Sequence, residues 1–379
     1  MNKVGFVLVT AVFLDMLGFG MLIPGVQLRL EAMGAVGWMI GLVQSSTFVI
    51  QTGVSPYWGR LGDRIGRKSV FVWCTLLSAL SMGVYAVAPG ILWIALSRII
   101  AGFGGANVSA AQAVVAGTVE DRTANLARLG AALSAGLVMG PALGGFVAKF
   151  AGAFWVGVIA CAASLAGALL ALALLPKDKP SPSEPGQAKI KTNLLRDHSQ
   201  LRALVVIAAV AWFSLSCLEG TFGRLIHAQH GFGELEFGML FGFESAVALV
   251  VQGFLMKDLA KRVGENKLLV GGFALQGLGL ALTPLAPGLA ALFGTSFFYS
   301  LGSSVANPTL QSRASKLVDE SRHGELFGLM QSARSIGFVL GPSVGGVLFD
   351  WYHPLPYFLA GGVCLVASVL VPLTVKRAE

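Results

Sequence analysis

Charge is scarce in this chain. Only 12% of its 379 residues are Asp, Glu, Lys or Arg, against roughly a quarter in an ordinary soluble domain. With 55% apolar residues, the chain carries more apolar surface than a soluble fold of this length can hide. Cysteine is sparse too. Cys74, Cys161, Cys217 and Cys364 form no C-x-x-C pair, so neither a disulfide framework nor a zinc knuckle can be read, and each is expected as a small buried residue. No G-x-x-x-x-G-K-[ST] loop is present, which leaves ATP-driven chemistry without its motif. The histidines, at 198, 227, 230, 323 and 353, sit near loops and helix edges and not at metal-ligand spacing. No metal site and no enzymatic activity are therefore expected. The ten-residue alternating segments of a membrane barrel are missing as well.

Uninterrupted apolar length is abundant instead. Mean hydropathy is +0.74. A helix needs about 20 apolar residues to cross the hydrocarbon layer, and lipid offers no partners to an unpaired backbone. Twelve runs qualify, at 4–28, 36–58, 69–88, 91–117, 124–148, 152–175, 202–227, 235–256, 267–286, 288–312, 323–348 and 353–375. The first is read as a transmembrane helix and not as a removed signal peptide. The expected fold class is an all-α integral membrane protein of twelve transmembrane helices.

Basic residues orient it. With the N-terminus inside, 22 of the 27 Lys and Arg residues fall on inner segments and only Arg29 and Lys149 on outer loops. Arg98, Arg224 and Arg334 fall within spans. Short loops rich in Lys and Arg stay in the cytoplasm, so both termini are expected there. The net charge of +8 is thus a topology signal spread over many short loops. A nucleic-acid partner is not expected.

The halves repeat each other. "GLVMGPALGG" at Gly136–Gly145 returns as "GFVLGPSVGG" at Gly337–Gly346, and "FGMLI" from Phe19 as "FGRLI" from Phe222, at offsets of 201 and 203. Two pseudo-symmetric six-helix bundles follow, at 1–175 and 202–379, joined by a Pro-, Ser- and charge-rich cytoplasmic linker at 176–201. Repeated bundles are a transporter architecture, with the substrate site near the midplane. In each copy three glycines share one helix face at a spacing of four: Gly136, Gly140 and Gly144, and again Gly337, Gly341 and Gly345. Close helix packing is expected there. Pro141 and Pro342 each remove a backbone hydrogen bond, and Gly145 and Gly346 close the motifs.

"GRLGDRIGRKSV", Gly59–Val70, packs Arg60, Asp63, Arg64, Arg67 and Lys68 between two uncharged runs. Gly59, Leu61, Asp63, Arg64, Gly66, Arg67 and Lys68 fit the loop signature G-x-L-x-D-R-x-G-R-[KR]. "RIIAGFGGA" from Arg98, "GLVMGPALGG" and "LDMLGFGMLIP" from Leu14 look like fourth-, fifth- and first-helix signatures. Together, over essentially the whole chain, these motifs resemble the major facilitator superfamily, and within it the twelve-helix drug:proton antiporters close to tetracycline efflux proteins. The resemblance implies a monomeric exporter in the bacterial cytoplasmic membrane, moving a small drug-like molecule in exchange for protons, with no cofactor beyond the proton. It also implies that Asp63 braces the loop against the start of the eleventh helix, where a carboxylate suits a helix N-terminus. Glu120 or Asp121 are candidate acceptors for Arg64 or Arg67. The matching second-half loop keeps only Gly253, Arg262 and Gly264.

Six charged residues fall clearly inside spans, away from their ends: Asp15, Arg98, Glu219, Arg224, Glu244 and Arg334. Such residues are costly unless they face a partner or a watery cavity. A carboxylate in apolar surroundings takes up a proton more readily. One or two of Asp15, Glu219 and Glu244 are therefore the candidate proton carriers. Arg98 has Asp15 or the polar groups beside Asn107 as candidate partners, and Arg224 is expected to snorkel toward the outer face. Gln44, Arg98, Asn107, Asn307, Gln331 and Arg334 are the candidate cavity-lining residues, with Gln51 and Gln252 as further polar positions in spans. The main expectation is proton-coupled export of an amphipathic compound. The alternative is a facilitator or symporter for a polar metabolite such as a sugar, organic anion or lipid-linked sugar. A non-transporting scaffold would need neither repeated bundles nor buried carboxylates.

Overall fold

The computed structural model describes residues 3–118, 122–176, 199–318 and 322–374. Every regular element among them is a helix. The first half comprises α1 (Lys3–Ala32), α2 (Gly37–Ile65), α3 (Arg67–Ala86), α4 (Ile91–Gly104), α5 (Asn107–Thr118), α6 (Arg122–Ala151) and α7 (Ala153–Leu174). The rest comprises α8 (Ser199–His230), α9 (Glu234–Val250), α10 (Met256–Val263), α11 (Glu265–Leu282), α12 (Leu289–Lys316), α13 (His323–Trp351) and α14 (Leu355–Thr374). Most of the linker, residues 177–198, lies outside the described residues.

Three sequence-based expectations change. The span expected at 91–117 is two helices, α4 and α5, broken at Gly105 and Ala106. The span expected at 235–256 contains a five-residue wide turn, Val251–Leu255, between α9 and α10. Eleven spans among the described residues are long and apolar enough to cross a membrane. The one left out is α2. It has 29 residues, but its interior carries Gln44, Ser45, Ser46, Thr47, Gln51 and Thr52. The broken fourth span is tolerable because side chains satisfy it: Gln51 Nε2 donates to the Gly105 carbonyl at 2.8 Å. Backbone freed at membrane depth must find such a partner inside the protein.

Two sharp turns rest on glycine. Gly66 is the single residue between α2 and α3, with φ 92° and ψ 144°. Gly264, between α10 and α11, has φ 83° and ψ 148°. The repeat thus keeps the same strained backbone at matching turns, in a region open essentially only to glycine.

The chain divides into two compact units. One comprises residues 1–35, 46–185 and 231–242, and the other 36–45, 186–230 and 243–379. The core of the first gathers Leu8, Val12, Phe71, Val114 and Leu129. That of the second gathers Leu204, Leu269, Phe273, Leu310 and Leu326. Exposed Trp73, Leu92, Phe150, Leu172, Phe254, Trp351 and Val369 supply an apolar outside suited to lipid.

The glycine faces are seams in each unit. A Cβ on Gly140 would lie 2.7 Å from Gly20 Cα of α1, and one on Gly136 2.8 Å from Met16 Cβ. Gly144 faces the Met21 backbone. On α13, a Cβ on Gly341 would lie 2.8 Å from Cys217 N of α8, with Gly337 on Phe213 N and Gly345 on Cys217 Sγ. The last glycine of each motif serves another helix. Gly145 abuts the Glu234 backbone at the start of α9, and Gly346 abuts Gly37 at the start of α2. Pro141 and Pro342 lie inside α6 and α13.

Candidate functional site

Asp15 stands midway along α1 and is fully buried. Three neutral donors converge on it. Asn107 Nδ2, at the start of α5, donates to Oδ2, and Ser164 Oγ of α7 donates to Oδ1. Ser78 of α3 adds a third hydrogen bond. Asn107 Oδ1 in turn accepts the Val108 amide at 2.7 Å. Asp15 therefore ties α1, α3 and α7 to the first turn of α5, where the fourth span breaks. Arg98 is not its partner. It is buried, and its Nε donates to Ser97 Oγ at 3.4 Å, while its charge acts on Tyr85. The pairing expected from charge alone overlooked how well hydroxyls and amides satisfy a carboxylate.

A second cluster lies in the other unit and is built differently. Glu219 of α8 is half-buried. The Arg334 charge, from α13, acts on it. Glu244 of α9 is 8% exposed, and its Oε1 accepts Ser296 Oγ of α12 at 2.7 Å. The two glutamates lie within electrostatic range of each other, and Tyr299 of α12 lies in range of both. Arg334 is exposed. Its guanidinium lies 4.6 Å from the Trp212 ring centroid and 5.4 Å from that of Phe338. Two carboxylates, one cation and an aromatic surface thus meet in one bundle.

The remaining candidates scatter. Gln331 is exposed, one turn from Arg334 on α13. Asn307 is half-buried beside Pro308 in α12. Gln44 is half-buried in α2, with its Nε2 lacking a hydrogen-bond partner among the described residues. Gln51 holds the broken span, as above, and Gln252 is exposed on the wide turn.

In the charged turn, Gly59, Arg60 and Arg64 are exposed, Gly62 and Gly66 buried, and Arg67 half-buried. Lys68 has a definite task. Its Nζ donates to the Leu172 carbonyl at 2.9 Å and to the Leu175 carbonyl, closing the C-terminal end of α7. A cation belongs there, where helix carbonyls are unpaired. The side chain of Asp63, and Glu120 and Asp121, lie outside the described residues.

Arg224 does not snorkel. It is buried and pairs with Asp350 at 3.2 Å, stacked 4.3 Å from the Phe349 ring centroid. Asp350 is a residue the sequence reading missed. The expected span stopped at 348, whereas α13 runs on to Trp351. Ser78, Ser164, Ser296, Trp212 and Phe338 were missed too, because serines and aromatics in apolar runs carry no mark of their partners.

A helical chain of two repeated halves, with midspan carboxylates organised in each, defines a membrane transporter. The chain belongs to the Major Facilitator Superfamily, whose family model matches residues 8–257 and 204–379. It is 28% identical over 375 residues to "Multidrug resistance protein 2" of Bacillus subtilis (strain 168), covering 95% of this chain and 92% of the relative. It is 26% identical over 387 residues to "Quinolone resistance protein NorA" of Staphylococcus aureus (strain Mu50 / ATCC 700699), covering 98% and 96%. Among solved structures, the nucleoside transporter NupG superposes with a TM-score of 0.81 at 16% identity, over 100% of each chain. A bacterial homologue of the iron transporter ferroportin, in its inward-facing state, gives 0.76 at 18% identity, over 99% of each. These structures share the fold.

Proposed function

We propose that the protein exports amphipathic, cationic drug-like compounds from the cytoplasm by alternating access, driven by inward proton flow. The observation that carries the coupling is the pair Glu219 and Glu244, within electrostatic range of each other and served by Arg334 and Ser296. Two carboxylates whose charges act on each other resist simultaneous ionisation, so protonation of the pair is sensitive to a third charge. An arriving cation and a proton then compete for the same negative charge, which is the requirement for exchange. Full-length similarity to drug-resistance proteins supports the substrate class. Asp15 is proposed to be a positioning residue, since neutral donors from three helices already occupy it.

The protein is further proposed to work as a monomer in the bacterial inner membrane, both termini cytoplasmic. It has no nucleic-acid partner, no cofactor besides the proton and no chemical conversion of its cargo. One observation favours the second reading, transport of an organic anion: Arg334 is an exposed cation beside the proposed site.

The test is reconstitution with an imposed pH gradient. Wild type should accumulate ethidium against its concentration gradient. Glu219→Gln and Glu244→Gln should abolish gradient-driven accumulation, since a fixed neutral amide cannot cycle, while still permitting passive exchange. Asp15→Asn should keep coupling at reduced stability. If all three variants keep wild-type accumulation, no intramembrane carboxylate couples protons. Gradient-independent movement of anions and none of cations would install the second reading.

A further inference from the structure

Helix α13 has an exposed apolar side and, in its first half, an exposed polar patch. Ile336, Leu340 and Val347 are exposed and apolar. At 3.6 residues per turn they lie about 200–240° around the helix from Arg334. Gln331 lies within about 60° of it. The apolar side suits lipid, whereas Gln331 and Arg334 form a polar patch just before the glycine seam, since Gly337, Gly341 and Gly345 continue the Arg334 side against α8. Arg334 does not reach into open space. Its guanidinium lies over Trp212 at 4.6 Å and Phe338 at 5.4 Å, and the two rings are 5.7 Å apart at an interplanar angle of 35°. Trp212 stands two turns before Glu219 on the same face of α8, seven residues away.

A guanidinium is flat, delocalised and weakly hydrated. Those are also the properties of an aromatic lipophilic cation. A ring surface that holds one within about 6 Å holds the other by the same quadrupole attraction. The geometry points to Trp212 and Phe338 as the docking platform for the cationic ring of the substrate, with Arg334 as a built-in competitor that covers the platform until substrate displaces it. The inference rests on the cation-export reading and names the surface that reading needs. It also accounts for an exposed arginine in a protein proposed to bind cations. Arg334 sets a threshold that only a ring cation stacking better than a guanidinium will pass, and it takes the place of the departing substrate.

The experiment is ethidium binding to the purified full-length protein in nanodiscs, beside ethidium export by the same variants in proteoliposomes. Arg334→Ala should tighten ethidium Kd by about 2- to 5-fold, the scale of a cation–π contact at an exposed site. Arg334→Gln should do the same if the alanine variant folds poorly. Trp212→Ala on the Arg334→Ala background should erase the gain, and Trp212→Phe, which keeps a ring, should retain most of it. Phenanthridine, the neutral parent ring, should gain less than ethidium. An unchanged or weakened Kd in both Arg334 variants overturns the inference. So does a gain that persists without the Trp212 ring, which would make it general charge relief. If wild type exports ethidium but the Arg334 variants bind it no better, the inference alone falls. If wild type neither binds nor exports a cation, the export reading falls and takes the inference with it.

Discussion

Asp350 does three things with one carboxylate, and its removal should be the costliest single change outside the proposed coupling pair. Oδ1 accepts the Gly37 amide at 2.9 Å, Oδ2 accepts the Trp38 amide at 3.3 Å, and Oδ1 also accepts Arg224 Nη2 at 3.2 Å. The two amide bonds cap α2 at its N-terminus, a role worth about 1 kcal/mol. The third bond neutralises Arg224, whose side chain is only 7% exposed. Removing one partner of a buried charge pair costs about 3–5 kcal/mol. The Asp350 side chain is itself 28% exposed, so water entering its vacated place recovers part of that. Asp350→Ala should therefore destabilise by about 3 kcal/mol in all. For a unit of this size that is a fall in Tm of about 6–12 °C. The assay is thermal unfolding of purified protein followed by intrinsic fluorescence. The design is a double-mutant cycle with Arg224→Met, which keeps packing on Phe349 but removes the charge. Most of the loss should return in Asp350→Ala/Arg224→Met, because both members of the charge pair are then gone. A single variant within about 2 °C of wild type, or strictly additive losses in the double variant, would refute the reasoning.

Gly140→Leu should lower Tm and transport together, because the new side chain starts 2.7 Å from backbone at Gly20 and overpacking a seam costs about 1–3 kcal/mol; unchanged unfolding would show that α1 and α6 are not in contact. Gly66→Ala forces an L-residue to φ 92° and should cost about 1–3 kcal/mol, read as the same Tm loss in Gly264→Ala. Gln51→Leu leaves the Gly105 carbonyl unpaired, a loss of about 1–3 kcal/mol; hydrogen exchange should rise first at residues 104–107, and uniform exchange would contradict the role given to Gln51.

The helical class and most of the apolar runs were legible because lipid imposes one rule along the chain: a span is long, apolar and helical. Interruptions inside a span were not. "AGFGGANVSA" reads as packing glycine, and its break at Gly105 becomes visible only with Gln51 of another helix under the freed carbonyl. Arg224 was misread for a related reason. Snorkelling is the default for a lone arginine near a span end, but the further reach of α13 brings Asp350 to it. The carboxylates were found at once, since buried charge is conspicuous, whereas their partners are neutral serines or lie across the fold. A hydroxyl within an apolar run says nothing of which helix it will face.

The internal repeat gives a structural reason for the different roles proposed for Asp15 and Glu219. Aligning "FGMLI" with "FGRLI" superposes Met16 on Glu219 and Asp15 on Leu218. The two acids are thus one position out of register, about 100° apart around equivalent helices. Burial follows the register and not the residue type. Asp15 and Leu218 are both buried, at 0% and 4% exposure, whereas Met16 and Glu219 are both half-buried. Position 15 and its counterpart point into their own bundle, so an acid placed there can only be held by that bundle, as Asn107, Ser164 and Ser78 hold Asp15. Position 219 is half-buried, and there an acid meets the Arg334 charge. A one-residue shift between repeated helices thus separates a carboxylate held by neutral donors from one that faces the charge of Arg334.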